Sequence, residues 1–177
     1  MAKKNWKIDK ANSQIRFKVK HLMITTVNGE FSDYDAYVQT DEDDFSTAAI
    51  TFVAKTASVH TGSADRDAHI KSSDFFDVEK FPEIRFVSNS MTKKSGNNYR
   101  LEGNISIRDV TKKILLNAHF TGFVQDQWGA EKAGFVITGK LNRKKFGLVW
   151  NVITDRGSLL VGEDVKLECE AQFTPEQ

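Results

Sequence analysis

The segment that decides the fold reads Tyr-Arg-Leu-Glu-Gly-Asn-Ile-Ser-Ile, from Tyr99 to Ile107. Its apolar or small residues fall at every second position, and the residues between them are polar or charged. A period of two is typical of a β-strand that buries one face and exposes the other. The segment therefore predicts a strand whose apolar face covers a core.

Similar alternation recurs along the chain, and turn-forming residues separate the alternating runs at fairly even spacing. About eight or nine short strands of this kind are typical of a sandwich or a barrel. At 177 residues the chain suits a single domain, residues 1–177. The other predicted strands lie near residues 15–21, 29–39, 48–58, 84–86, 114–120, 135–137, 146–154 and 165–173.

One stretch, residues 62–80, lacks the alternation. Ser63 can cap a short helix that begins at Ala64, and Ser72 or Ser73 can cap a second one. We therefore expect a short helical insertion around residues 63–77, on a connection between two strands.

The insertion places a charged cluster, Arg66, Asp67 and His69, just before the aromatic residues Phe75 and Phe76. This combination suits the mouth of an apolar pocket, where a polar head group meets charges and an apolar tail is covered by rings. Acid–base chemistry by Asp67 and His69 is a further interpretation. A structural interpretation competes with both, in which Arg66 pairs with Asp67 or Asp67 fixes the helix.

The remaining histidines and the single cysteine give weaker indications. His21 ends a predicted strand and points inward at the rim, either bonded to a main-chain carbonyl or in contact with a ligand head group. His60 shows no clear pattern, and His119 falls on a polar face.

Cys169 falls on the apolar face of the last strand, which favours an inert core thiol. Because it is the only cysteine of the sequence, an intramolecular disulfide is excluded. No metal-ligand spacing is present, so we expect no metal and no cofactor.

Charge and hydropathy exclude several classes of function. The net charge is +1, from 25 basic and 24 acidic residues, so the chain has no overall field that attracts nucleic acid. Short basic clusters such as 143–145 are interpreted as solvated surface.

No run approaches the ~18 apolar residues of a membrane helix, so we expect no integral membrane segment. No apolar signal region follows Lys3 and Lys4, which favours the cytoplasm; a trimmed mature form would be periplasmic.

The predicted interior combines large and small side chains. A barrel of about eight strands is either filled by its own side chains or holds one small ligand. The 13 phenylalanines supply much of the inward face, and small residues such as Ala54, Gly103 and Ala118 alternate with them. Room lined in this way suits an aliphatic or polyene chain, whereas a tightly packed core is the competing interpretation.

Ordered motifs make the chain resemble the YceI-like family, the lipocalin-like polyisoprenoid-binding proteins of bacteria, from Trp6 to Phe173. The stretch Gly103–Lys112 resembles the family's G-x-L-T-I-R-G-V-T-K. The other matching motifs are Trp6–Asp9, Ser13–Leu22, Gly29–Phe31, Thr61-Gly62, Arg66–Lys71, Asp74–Asp77, Phe81-Pro82, Asn142–Leu148 and Val161–Val165.

The resemblance implies an eight-stranded antiparallel lipocalin-like barrel with a short helical insertion and an elongated apolar cavity. The implied ligand is an amphiphile such as a polyisoprenoid, an isoprenoid quinone or a fatty-acid derivative. Members are often dimers, so we expect a homodimer, and no enzymatic activity is firmly attached to the family. The expected ligand-binding residues are Phe17, Phe52, Phe86, Ile105, Phe120, Phe135 and Ile137 along the cavity, Phe75, Phe76 and Trp150 at its mouth, and His21, Arg66, Asp67 and His69 near the head group.

Three functions follow from these observations. The first is non-catalytic binding, storage or transport of an amphiphilic lipid. The second is an enzyme that isomerises or cyclises an apolar substrate, with His69 or His21 as the acid–base group. The third is an interaction module whose barrel is filled.

Overall fold

A computed structural model describes residues 2–157 and 159–176. Within that part of the chain, eleven β-strands join one antiparallel sheet and one α-helix interrupts it. The elements are β1 Lys3–Ile8, β2 Gln14–His21, β3 Thr25–Phe31, β4 Tyr34–Asp41, β5 Asp44–Lys55, β6 Val59–His60, α1 Ala64–Lys71, β7 Glu83–Lys93, β8 Asn98–Ile107, β9 Val110–Gln125, β10 Glu131–Asn142 and β11 Val161–Pro175.

The sheet closes on itself as the predicted eight-stranded antiparallel barrel. The ring runs β1-β4-β5-β7-β8-β9-β10-β11, and β1 pairs back onto β11. Strand β11 pairs with β10 along one edge and is long enough to pair with two strands along the other: Phe173 is opposite Ile8 of β1, and Leu167 is opposite Phe17 of β2. Strands β2, β3 and β6 therefore extend the barrel wall beyond the ring.

The predicted alternation governs which side chains enter the barrel. In β8, Leu101 and Ile105 are buried, whereas Arg100 and Asn104, which immediately precede them, are exposed. The inward face also contains Gly103, and the ring of Phe86 from β7 lies over it. A glycine on this face thus provides space for a neighbouring aromatic ring rather than an empty volume.

Antiparallel strands place the connections alternately at two ends of the barrel. Helix α1, the β2–β3 turn and the long β10–β11 connection lie at one end, called here the helix end. The β4–β5, β7–β8 and β9–β10 turns lie at the other. At the helix end the side chain of Ser63 accepts a hydrogen bond from the amide of Arg66, as predicted for the helix cap.

Three details of the predicted secondary structure were wrong. Residues 146–154 do not form a strand: a 3₁₀ turn, Arg143–Phe146, ends at Gly147 with φ 84°, which diverts the chain into a loop. The predicted strand 29–39 is two strands separated by a bend at residues 32–33. The second predicted helix near Asp74 is a series of turns, in which Asp77 adopts a left-handed conformation.

Candidate functional site

A cavity of about 550 Å³ occupies the barrel interior. This volume lies within the range of ligand-binding pockets, about 300–1,000 Å³. The wall of the cavity includes Phe135 near one end of β10 and Arg143 just beyond the other end. Eight residues of extended chain span about 26 Å, so the cavity is long and narrow.

Aromatic rings close the end of the barrel opposite the helix. Phe45 lies at the centre of this aromatic plug, with ring centroids 5.1 Å from Trp6 and 4.9 Å from Phe135. Phe120 packs 5.1 Å from Phe135 and 5.0 Å from Phe123. The aromatic plug therefore forms a floor at this end of the cavity.

A β-bulge in β9 brings two of these rings to the same face. Phe123 is opposite Ala133, whereas Phe120 is opposite Phe135, so β9 contains one residue more than β10 between these pairs. A bulge of this kind reverses the alternation of side chains beyond it. Phe120 and Phe123 thus both join the aromatic plug, although strict alternation would place them on opposite faces.

The helix end of the cavity is its mouth. The exposed residues in the cavity wall are Lys20, Asp65 and Arg66, and all three lie at this end. Lys20 is on β2, next to the β2–β3 turn, and the other two are on α1. The rest of the wall is predominantly apolar, so polar groups meet a ligand mainly at the mouth.

Three rings from separate segments meet beside the mouth. The His69 ring stands perpendicular to Trp150, with centroids 4.4 Å apart, and lies edge-on to Phe75 at 5.1 Å. His69 Nε2 is 2.8 Å from a carboxylate oxygen of Asp74. The sequence predicted a partnership of His69 with Asp67, and the structure gives His69 a different carboxylate.

Arg66 and Asp67 both hold Thr61, the residue that leads into the helix, rather than each other. Arg66 donates from Nε to Thr61 Oγ1 at 2.7 Å and from Nη2 to the Thr61 main-chain oxygen at 2.7 Å. Asp67 accepts from the amide and the hydroxyl of Thr61 at 2.8 and 2.6 Å. The predicted direct Arg66–Asp67 pair was therefore wrong, and Asp67 has the structural role that was its alternative.

Arg143 is a residue of this site that the sequence did not reveal. Its cluster was interpreted as solvated surface, yet only 4% of Arg143 is exposed. Its guanidinium donates hydrogen bonds to the main-chain oxygens of Leu148, Trp150, Val161 and Gly162, at 2.6 to 3.2 Å. Burial lowers the pKa of Arg143 from its usual value, and the charge of Glu163 opposes this shift. Arg143 thus fixes the β10–β11 connection against the mouth.

The structure places most of the predicted ligand residues in the cavity wall. Phe120 and Asp67 are the exceptions, because Phe120 lies in the aromatic plug and Asp67 binds Thr61. Leu116 and Leu167 line the cavity and were not singled out from the sequence, although both follow the inward alternation of their strands. The predicted residues that line it are Phe17, His21, Phe52, Arg66, His69, Phe75, Phe76, Phe86, Ile105, Phe135, Ile137 and Trp150.

Residues 2–157 and 159–176 contain neither a metal-binding cluster nor a helix that could span a membrane. No group of three or more His, Cys, Asp and Glu side chains in this part of the chain is arranged to hold a metal ion. Among the same residues, no helix has the length and apolar character needed to cross a bilayer. Burial raises the pKa of Cys169, consistent with an unreactive thiol in the wall of the barrel.

Known proteins share both the sequence pattern and the fold. An UPF0312 protein of Staphylococcus aureus strain USA300 is 33% identical over 171 residues, which cover 96% of this chain and 97% of the relative. The crystal structure of the Campylobacter jejuni YCEI protein is 30% identical, with a TM-score of 0.77 over 89% of this chain and 90% of that chain. A polyisoprenoid binding domain from Saccharophagus degradans is 9% identical, with a TM-score of 0.66 over 97% and 98% of the two chains, a likeness that shows the fold alone.

The match to a protein family extends over nearly the whole barrel. The model of the YceI-like domain matches residues 6–173, from the tryptophan of the aromatic plug to the phenylalanine of β11. The resemblance seen in the sequence motifs is therefore confirmed, and the chain belongs to the YceI-like family.

Proposed function

We propose that this protein binds and carries or stores an amphiphilic lipid, such as a polyisoprenoid, an isoprenoid quinone or a fatty-acid derivative, without changing it chemically. One observation carries the proposal: a long apolar cavity of about 550 Å³ has an aromatic floor at one end and polar side chains at the other. This polarity matches a molecule with an apolar tail and a polar head.

The energetics of the cavity favour an apolar chain over a polar solute. Burial of apolar surface contributes roughly 25 cal/mol per Å², so a long chain gains affinity along its whole length. A polar solute would lose its water and find few partners along the predominantly apolar wall, at a cost of about 1–3 kcal/mol for each unpaired group. The fold of the Saccharophagus degradans domain, which binds polyisoprenoids, is compatible with this use of the barrel.

Other features of the proposal come from the sequence and from family membership. We expect the twelve cavity-lining residues named above to contact the ligand, without a metal or cofactor. A homodimer, a location in the cytoplasm and a role in transport remain predictions. So does the single-domain organisation of residues 1–177.

The test uses two adjacent leucines on opposite faces of β9. Leu116 lines the cavity, whereas Leu115 is 48% exposed on the outside of the barrel. We would purify the wild type, Leu116→Trp and Leu115→Trp without detergent and compare native with denaturing mass spectrometry. We expect a lipid bound to the wild type and to Leu115→Trp, and its loss from Leu116→Trp because the larger ring fills the cavity.

Two results would contradict the proposal. A folded Leu116→Trp variant that retains the same lipid in the same amount would show that the lipid lies elsewhere. A wild-type protein that carries no lipid and takes up neither added quinones nor fatty acids would favour the alternative in which the barrel is an incidental core.

One contact favours the second candidate, an enzyme acting on an apolar substrate. His69 borders the cavity, and Asp74 lies 2.8 Å from its Nε2, an arrangement that can orient a general base. His69→Gln should then keep lipid binding and abolish conversion of the bound lipid, followed by mass spectrometry of extracts. A lipid recovered unchanged after prolonged incubation with the wild type would exclude this candidate for that lipid.

A further inference from the structure

The charged residues in the cavity wall are strongly biased in sign. Four are cationic and one is acidic, and the set comprises Arg16, Lys20, Asp65, Arg66 and Arg143. The chain as a whole is nearly balanced, with a net charge of +1. The bias is therefore a local property of the cavity and its mouth.

Within the described residues, Arg16 is the one of these four cations that lies within ion-pair distance of carboxylates. Arg16 lies 3.6 Å from Glu168 and 3.5 Å from Glu170, which offset its charge. Lys20, Arg66 and Arg143 make no ion pair with any carboxylate in residues 2–157 and 159–176; Lys20, for example, donates to the Thr26 hydroxyl at 3.3 Å. In the described part of the chain, Lys20 and Arg66 thus lie at the mouth without an ion pair, while Glu163 attracts the charge of Arg143 and Asp67 reaches Arg66 only through the Thr61 hydroxyl.

The burial of Arg143 makes this imbalance effective inside the cavity. Charges act over longer distances where water is excluded, because the local dielectric constant is lower and screening by salt is weaker. The four carbonyl groups around its guanidinium satisfy hydrogen bonds but carry no net charge. We expect a positive potential at the mouth, because the cations in the cavity wall outnumber its one acidic side chain.

Arg66 is the cation that can touch a ligand directly. Its Nε and Nη2 atoms hold Thr61, whereas Nη1 makes no hydrogen bond within the described part of the chain. Arg66 is exposed and lies in the cavity wall, so Nη1 can donate to a group at the mouth. In Arg143, four hydrogen bonds to carbonyls leave one N–H of five, so Arg143 acts mainly through its charge.

We infer that the preferred ligand has an anionic oxygen head group, a carboxylate or a phosphate, held at the mouth by Arg66 in the positive potential of Lys20 and Arg143. This inference rests on the proposed function and narrows it to one class of amphiphile. A neutral alcohol of the same chain length gains the apolar contacts and can accept a hydrogen bond from Arg66, but it lacks the attraction between opposite charges.

The test compares ligands that share one tail and differ in head group. Protein stripped of lipid on a hydrophobic resin is loaded with the neutral fluorophore N-phenyl-1-naphthylamine, which is then displaced by hexadecanoate, hexadecyl phosphate or hexadecan-1-ol. We expect at least one anion to bind about tenfold more tightly than the alcohol, as for a charge-assisted contact. The two anions separate a carboxylate site from a phosphate site.

Variants identify the residue responsible. Arg66→Gln should remove most of the preference for the anion, measured as the ratio of the affinities for the anion and for the alcohol in the same variant. Arg100→Gln, an exposed arginine on the outside of β8, should leave both affinities unchanged. Circular dichroism spectra that match the wild type would show that both variants are folded.

The possible outcomes test the head-group inference, the role of Arg66 and the proposed function separately. Equal affinities for all three ligands would overturn the inference and leave the lipid-binding function in place. A preference for an anion that persists in Arg66→Gln would overturn the assignment of Arg66. Failure of all three ligands to displace the fluorophore would count against the proposed function itself.

Discussion

Arg143 donates a hydrogen bond from Nη1 to the main-chain oxygen of Trp150, 3.0 Å away. The same nitrogen bonds to Leu148 at 2.6 Å, so one guanidinium fixes the chain on both sides of Val149. The indole of Trp150 borders the cavity, whereas Val149 faces solvent. The shape of the mouth therefore depends on a buried side chain of the 3₁₀ turn.

Replacing Arg143 tests that dependence. Arg143→Lys keeps the charge but cannot reproduce four hydrogen bonds from a planar fork. We expect a loss of about 2–4 kcal/mol in the free energy of unfolding, because several buried carbonyls lose their donor. Urea unfolding of both proteins measures the difference, with Lys144→Met, a change in an exposed neighbour, as the control. Equal stability of Arg143→Lys and the wild type would contradict the role assigned to the guanidinium.

Trp150 is expected to control how fast a ligand leaves. Its ring packs 4.4 Å from His69 and 5.6 Å from Phe75 and covers part of the mouth. Trp150→Ala should raise the dissociation rate of a bound fluorescent fatty acid about tenfold, as expected for a loss of about 1.4 kcal/mol. Stopped-flow displacement measures this rate, and Trp128→Ala, which removes an exposed tryptophan from the β9–β10 turn, should leave it unchanged. Identical rates in all three proteins would place the exit route elsewhere.

The space above Gly103 is filled by its neighbours. A Cβ atom at this position would meet the ring of Phe86 and lie 2.6 Å from the main-chain oxygen of Val87. Gly103→Ala should therefore lower the free energy of unfolding by about 1–3 kcal/mol, the usual cost of overpacking. Gly162→Ala is the matched control, since its Cβ would lie 3.2 Å from Lys20 Cβ and should cost less. Thermal unfolding of both variants and the wild type measures the two losses of stability. A loss for Gly103→Ala no larger than that for Gly162→Ala would contradict the tight packing above Gly103.

Asp9 should make stability depend on acid pH. Hydrogen bonding from Asn12 at 3.0 Å lowers the pKa of Asp9 below 3.8, and Lys132, 2.9 Å away, lowers it further. The ionised carboxylate favours the folded state, so its contribution is complete above the unfolded-state pKa and is lost as the pH falls through the lower folded-state pKa.

The measurement compares Asp9→Asn with the wild type across pH. The variant should be less stable at pH 7, and the difference should shrink as the pH drops below about 4, near the ordinary Asp pKa. Lys132→Met completes a double-mutant cycle that isolates the pair. A difference between variant and wild type that stays constant across this pH range would show that the charge of Asp9 does not contribute.

The predictions that succeeded depended on local patterns. Alternation around Leu101 and Ile105 identified a strand and its inward face, and Ser63 identified the start of the helix. Both patterns depend on a few adjacent residues. The ring of eight strands came from the resemblance to a family, since alternation by itself left a sandwich and a barrel open.

The predictions that failed depended on contacts between distant residues. Val149 and Trp150 lie in an alternating run, but the left-handed conformation of Gly147 and the hydrogen bonds from Arg143 hold them in a loop. Phe123 reaches the aromatic plug only through a bulge, and Asp74 reaches His69 only through the turns after α1. Nothing in the neighbouring sequence distinguishes Arg143, which is buried, from Lys144 and Lys145, which are not.

Over the part of the chain that the structure describes, the aromatic floor made by Phe45 and Phe135 closes one end of the barrel, and the cavity opens at the helix end. If the proposed lipid enters with its apolar tail first, it must leave with its polar head group first. Under the proposed function, an acceptor of the lipid would then meet the head group while the tail is still shielded from water.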